Sequence, residues 1–516
     1  MSAGRAPGAP APVPASAPSA VPPSVPTPVP PLAIGLDLGT SGVKAVLLSA
    51  DDQLLAEATV GLSVSRPQPL WAEQAPADWW AAVQAAVAQL RTQVAPALWQ
   101  QVGALAAAGQ MHGAVLLDAQ GQVLRPAILW NDGRSQAECS EFESREPAAR
   151  QISANRAMAG FTAPKLLWVA RHEPALFARL ARVLLPKDWL VLCLTGCASS
   201  EMSDAAGTLW LDVAGRCWSP ALLAAGGLQA AQMPALHEGP DAVGPLLPAL
   251  ARDWGLPEGV QVAAGAGDNA AGALGLGVVA PGDALLSLGT SGVIFVVTDG
   301  PQANPDHGVH TFCHALPGLW HQMSVLLSAS SALSWWCGIT GTEPAALLAG
   351  LPVGAVRPAD APIFLPYLSG ERTPHADPAA TGSFIGLRAG HGRDDLSHAV
   401  LEGVAFAFAD GLAALQQGGS RPQRLLAIGG GARSDTWLQL LADVLGLPID
   451  RPASAEVGPA LGAARLALLC LGLRPESVLT PPPVARRFLP EPSRQVALQA
   501  RLLRFRAAYA PLRALA

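Results

Sequence analysis

Two stretches of the chain carry the same short turn, DLGTSGVK at 37–44 and SLGTSGVI at 287–294, each directly after an apolar run and 250 residues apart. Glycines at both ends of a Thr-Ser pair leave consecutive backbone N–H groups and two hydroxyls uncovered, which is equipment for holding phosphate oxygens. Two such turns on facing domains can grip one polyphosphate. Asp37 precedes the first turn and Lys44 follows it, whereas the second has Ser287 and Ile294, so a carboxylate for Mg²⁺ stands on one side only. Neither turn is a Walker loop, because no Gly-Lys-Ser/Thr closes it. Ordinary hairpin turns remain the alternative on turn chemistry alone.

A third glycine cluster, IGGGARSD at 428–435, follows an apolar run and precedes an amphipathic stretch. Its glycines let a flat group approach the backbone, as the nucleoside end of ATP would, or they make a tight strand-to-helix connection. Between the repeats, VQVAAGAGDNAAGALGLG at 260–277 reads as strand, turn and small-residue helix, with Asp268 in the turn. A carboxylate there can accept a proton from a hydroxyl nucleophile. It can equally cap the helix, and local sequence leaves both readings open. GAGDNA imitates a dinucleotide fingerprint, but the acidic residue at the expected spacing, Asp283, precedes the next apolar run instead of ending it.

These residues need strands and helices to hold them. Strand-like runs at 32–39, 43–49 and 54–62, broken by Asp51-Asp52-Gln53, form an antiparallel meander. Further strands are predicted at 102–108, 113–118, 261–265, 283–288, 292–298, 361–366 and 424–428, and helices at 77–99, 393–417, 433–446 and 457–472. The fold class is α/β with mixed sheets. The first 31 residues contain eleven prolines and a single charged side chain, Arg5, so they form a disordered tail without the pattern of a signal peptide.

Composition narrows the function. Charged residues are 14% of the chain and the net charge is −6, which argues against a nucleic-acid footprint. No uninterrupted apolar run reaches the roughly 18 residues of a spanning helix. Seven scattered cysteines read as free thiols in a reducing compartment. Zinc at His307, His310, Cys313, His314 and His321 is disfavoured by their spacing. Trp79-Trp80 and Trp335-Trp336 read as buried wedges. The only lysines are Lys44, Lys165 and Lys187, all inside motifs.

The longer motifs resemble the FGGY family of carbohydrate kinases over residues 33–510: GFTAPKLLWVARH at 160–172, GSFIGLRAGHGRDDLSHAVLE at 382–402, AGQMHGAVLLD, RPAILWNDGR, FLPYLSGERTPH and IGGGARS. The resemblance implies two ribonuclease-H-like domains of the actin and hexokinase type around a cleft, a sugar-side domain at 32–276 and a nucleotide-side domain at 277–510. It implies transfer of phosphate from ATP, with Mg²⁺, to a small ketose, D-xylulose, in the cytoplasm, with no nucleic-acid or membrane partner and with room for a homodimer. L-ribulose or glycerol is the alternative acceptor. A non-catalytic actin-like ATP-binding protein is the alternative class, and it would need neither the sugar motifs nor Asp268.

Position by position, the resemblance implies Asp268 as general base and Asp37 as the Mg²⁺-associated carboxylate. Met111, His112, Asn131, Asp132 and Asn269 match sugar-contacting positions. Thr40, Ser41, Lys44, Gly289, Thr290 and Ser291 match the phosphate loops, and Gly430 and Gly431 match the adenosine side. Taken alone, His112 reads as a structural histidine and Met111 as core.

Overall fold

The computed structural model describes Met1, residues 30–453 and residues 458–515, so most of the expected tail at 1–31 lies outside the described residues. Strands β1 (Leu32–Leu38), β2 (Gly42–Ser49) and β3 (Leu54–Gly61) form the antiparallel meander. With β4 (Val102–Gly109), β5 (Ala242–Pro245) and β6 (Gln261–Gly267) they make a six-stranded sheet of order β5-β6-β4-β1-β2-β3, in which β1, β4 and β6 run parallel.

The second sheet repeats this plan. It contains β7 (Ala284–Leu288), β8 (Gly292–Thr298), β9 (His310–Cys313), β10 (Trp320–Leu326), β11 (Leu425–Ile428), β12 (Ile449–Pro452) and β13 (Val484–Phe488). Its order is β9-β10-β8-β7-β11-β12-β13, again an antiparallel set with two parallel strands added beyond its first strand, although here β8 pairs with β10 and β9 lies at the edge. Each glycine turn therefore sits at the same place in its own sheet, between the first two strands.

Helices cover the sheets. The predicted helix over 77–99 is two, α1 (Pro76–Gln93) and the short α2 (Pro96–Trp99), because Pro96 has no N–H and cannot continue the first. Helix α3 (Asp268–Gly275) follows β6, and α4 (Ser330–Thr340) lies beside the second glycine turn. Helix α5 (Arg393–Gln417) is long and apolar enough to cross a membrane by length and composition, but it is buried as the central helix of the second domain. Helix α6 (Asp435–Leu445) starts at Ser434, whose hydroxyl caps the Trp437 N–H at 3.2 Å.

Helix α7 (Pro459–Cys470) departs from a clean division at 276/277. It packs Ala460, Ala463, Ala464 and Ala467 against Ala33, Ala104, Ala106 and Ala108 of the first sheet and against α3. A Cβ on Gly462 would lie 1.8 Å from the Ala271 carbonyl oxygen, and one on Gly35 would lie 1.9 Å from that of Ala460. The glycines let the two backbones touch where the halves of the chain cross, beside the strand end that carries Asp268.

Candidate active site

Gly267, in extended conformation, is the N-cap of α3, so Asp268 is the first helical residue and does not itself cap the helix. Its Oδ1 accepts hydrogen bonds from the Asn269 backbone N–H at 2.8 Å and from Asn269 Nδ2 at 2.9 Å. Burial raises its carboxyl from 3.8 to about 6, with the two Asn269 bonds pulling downward. Asp268 and Asn269 line two cavities at once. One, of about 240 Å³, also holds Met111, His112, Trp130, Phe161 and Arg372, and the other, of about 340 Å³, holds Ser287, Gly429 and Gly458.

In the smaller cavity, His112 has a positive φ of 69°, which aims its ring inward from the end of the first sheet. Its Nδ1 lies 2.7 Å from the Gly207 carbonyl, so Nδ1 bears the hydrogen and Nε2 accepts. Burial holds the ring neutral, lowered to about 3. The strained backbone is pinned by Lys165, whose buried Nζ donates to the carbonyls of His112 and Gly160 at 2.7 Å each. Met111 is buried against Gly207 and Gly267. The cavity thus has apolar walls with a few directed polar atoms, the character of a polyol site.

Asn131 and Asp132 part company. Among the described residues Asn131 Oδ1 is buried without a partner. Asp132 accepts from the Ala72 N–H at 2.6 Å and from Arg134 through its backbone N–H, Nε and Nη2, and its side chain has no exposure. A sugar hydroxyl finds no free oxygen there, so the expected direct contact is corrected to a brace beneath the loop. Arg134 in turn stacks on Trp71, 3.6 Å from the ring centroid.

The first glycine turn is wired to both sugar-side motifs. Thr40 Oγ1 donates to Gln110 Oε1 at 2.9 Å and accepts from Trp130 Nε1 at 2.9 Å, while Gln74 Nε2 donates to the Thr40 carbonyl at 2.8 Å. The Thr40 hydroxyl is therefore committed within the protein, whereas Ser41 is exposed. The Lys44 ammonium reaches the diagonal neighbour Glu57 on β3 at 2.9 Å and lines a third cavity with Asp52 and Arg465, which meets the nucleotide-side cavity at Gly458. It is not delivered to either cavity that contains Asp268.

The second turn lies across the cleft. The Gly289 and Thr290 carbonyls accept from Ser330 at 2.8 Å and Ala329 at 3.0 Å at the start of α4, leaving Thr290 and Ser291 exposed, with Ser291 in the smaller cavity. Gly430 faces open space, while a Cβ on Gly431 would strike the Leu288 side chain at 2.5 Å. One glycine leaves room for a ligand and the other serves packing.

Asp37 tests the fit of Mg²⁺. Among the described residues its Oδ1 is buried without a hydrogen-bond partner, and burial followed by the charge of Asp268 raises its carboxyl to about 7, against an opposing pull from Lys44. An orphaned carboxylate oxygen beside Asp268 suits a cation that takes its remaining ligands from phosphate and water, as Mg²⁺ commonly does. Residue-by-residue reading of the motifs passed over Arg372, Trp130, Phe161 and Phe312, although the first three stand inside quoted motifs. Their signal was position in a motif; their meeting in one cavity depends on the fold.

Two homologous α/β sheets, a cleft with facing glycine turns and a raised carboxyl shared by two cavities define a two-domain sugar phosphotransferase of the actin and hexokinase type. The chain belongs to the FGGY family of carbohydrate kinases: its N-terminal domain model matches residues 32–275 and its C-terminal domain model residues 284–471. It is 52% identical over 481 residues to the xylulose kinase of Escherichia coli (strain K12), covering 93% of this chain and 99% of that protein. The crystal structure of a xylulose kinase from Brucella ovis superposes with a TM-score of 0.91 at 49% identity, covering 94% of this chain and 100% of that one. The xylulose kinase from Rhodospirillum rubrum gives 0.86 at 33%, covering 94% and 99%.

Proposed function

We propose that the protein transfers the γ-phosphoryl group of ATP to the terminal hydroxyl of D-xylulose, giving D-xylulose 5-phosphate and ADP. The observation that carries this reading is the position of Asp268, the carboxylate common to the acceptor-sized cavity and the larger cavity bordered by Ser287 and Gly429. The identity to xylulose kinases over nearly the whole chain supports the ketose.

Asp268, ionised above about pH 6, takes the proton as the hydroxyl oxygen attacks the γ-phosphorus, and the bond to the ADP oxygen breaks in line. Asn269 orients that carboxylate and offers its amide to a neighbouring hydroxyl. His112 accepts a sugar hydroxyl at neutral Nε2, and Asn131 brings its unpaired Oδ1 to the same task. Ser41, Thr290, Ser291 and the backbone N–H groups of the turns orient the phosphates, and the open face of Gly430 admits the base. Asp37 would hold Mg²⁺, which when bound neutralises charge on the phosphate oxygens. Asp132 and Lys165 position the loops. A cytoplasmic location accords with the resemblance to bacterial xylulose kinases, and a homodimer is an expectation that light scattering tests.

An ADP-release assay with D-xylulose, L-ribulose and glycerol decides the acceptor. D-xylulose should exceed both others in kcat/KM by about 10². Preference for another acceptor, or ATP turnover indifferent to all three, would overturn the assignment.

A further inference from the structure

A second space adjoins the acceptor cavity. Met158, Gly160 and Arg372 line it and also line an outer cavity of about 440 Å³ between the domains, whose walls include Gln136, Arg156 and Pro378. Asp268, Asn269 and Val293 are in turn shared by the acceptor and nucleotide-side cavities. Asp268 thus stands in the wall common to the acceptor and nucleotide-side cavities, and Arg372 in the wall common to the acceptor and outer cavities.

Two guanidiniums face the outer cavity, Arg156 from the first domain and Arg372 from the second. Among the described residues neither forms an ion pair, and Arg372 has a single side-chain partner, His310 Nε2 at 3.3 Å. Of the two carboxylates in the same walls, Glu143 is committed, while Glu371 is engaged through Oε1 and keeps a buried Oε2 without a partner among the described residues. Glu143 accepts two bonds from Arg150 and one from the Ala157 N–H, and Glu371 Oε1 accepts from the N–H groups of Leu327 and Arg372. Burial also pushes the Glu371 carboxyl up to about 7, which weakens it as a counter-charge. Both arginines are half-buried without a carboxylate hydrogen bond to their side chains, and the planar guanidinium fork matches carboxylate or phosphate oxygens.

We infer that the outer cavity is a subsite for an anionic oxygen group, carboxylate or phosphate, borne on a polyhydroxy chain whose other end occupies the acceptor cavity. This rests on the kinase reading above, which puts the reacting hydroxyl at Asp268 and so turns the far end of the chain toward Arg372. A five-carbon aldonate or a pentitol phosphate puts its anionic end at the wall shared by the two cavities, where Arg372 stands, and competes with the sugar, whose corresponding end is neutral.

Titration calorimetry on the full chain compares D-xylonate, xylitol 5-phosphate and neutral xylitol. At least one anion should bind about tenfold more tightly than xylitol, the size of a charge-assisted hydrogen bond, and the tighter of the two tells carboxylate from phosphate. The preference should fall to within about twofold in Arg156→Gln and survive in part in Arg156→Lys, with melting temperatures separating loss of fold from loss of charge. Equal affinity of all three compounds for the wild-type protein overturns the inference, as does a preference that persists undiminished in folded Arg156→Gln. Calorimetry needs no turnover, so the two readings fail separately. Loss of the kinase reading would show as no ketose phosphorylation in the wild-type protein, and loss of the subsite as normal turnover without anion preference.

Discussion

The Gly267 N–H donates to the Ser203 hydroxyl at 3.0 Å, and that hydroxyl donates to Glu201 Oε1 at 2.8 Å. Glu201 also accepts the N–H groups of Ser203 and Asp204, and lies 4.0 Å from the buried ammonium of Lys187. The residue immediately before Asp268 is thereby tied to a buried charged cluster. Ser203→Ala should lower kcat about tenfold, the worth of one such bond, with KM for ATP nearly unchanged, and Ser203→Thr should restore part of it. Steady-state kinetics of both variants checks this; equal losses in the two would mean packing, not the hydroxyl, matters.

Asp268→Asn keeps the shape and the hydrogen-bonding capacity of the side chain but cannot take up a proton. D-xylulose phosphorylation should fall by about 10² or more, while nucleotide binding and the fold survive. Near-wild-type turnover in the purified variant would send the search for the base to Asp37.

The pH dependence follows from the same carboxyl, raised from 3.8 to about 6 by burial. The base must be ionised, so kcat/KM should drop as pH falls through about 6. Stability runs the other way. A raised folded-state value contributes stability that is complete below 3.8 and lost as pH rises through about 6. Asp268→Asn should therefore melt higher than wild type at pH 8 and close to it at pH 4, measured by calorimetry.

Asp37→Asn should raise the Mg²⁺ concentration needed for half-maximal rate as well as slow turnover, because the amide lacks the negative charge and one of the two oxygens that the carboxylate offers a cation. A Mg²⁺ titration at saturating sugar reads both effects, and an unchanged Mg²⁺ requirement would remove Asp37 from the metal.

At Gly462 any side chain meets the Ala271 carbonyl, 1.8 Å from where its Cβ would stand, whereas Gly430 faces open space. Gly462→Ala should cost about 1–3 kcal/mol in denaturant unfolding, the usual range for overpacking. Gly430→Val should leave unfolding unchanged and raise KM for ATP. The opposite pattern would reverse the two roles.

Much of this was readable without coordinates. Apolar alternation and Asp/Gly breaks are local signals, and they located the meander, the glycine turns and Asp268 within a residue or two. The break of the 77–99 helix at Pro96 was equally local, and periodicity alone overran it. Asp132 and Lys44 show the limit. Both stand in the expected motifs, but the partners that claim them, Ala72 and Arg134 in one case and Glu57 in the other, are chosen by loop and strand neighbours that residue spacing does not specify.

The two GTSG turns draw the line most clearly. By itself the sequence determined that each would be a tight turn closing a strand pair, since glycine at both ends permits it and apolar runs flank it. Tertiary structure decided that they differ: Leu38 pairs with Val43 in the first, but Leu288 pairs with Gly292 in the second, a shift of one residue between identical segments. The start of α4 captures the Gly289 and Thr290 carbonyls in one copy, whereas Gln74 and Gln110 claim the carbonyl and hydroxyl of Thr40 in the other. Backbone polar groups in a turn must find partners, and those partners come from elements more than thirty residues away, so identical sequences settle into different registers.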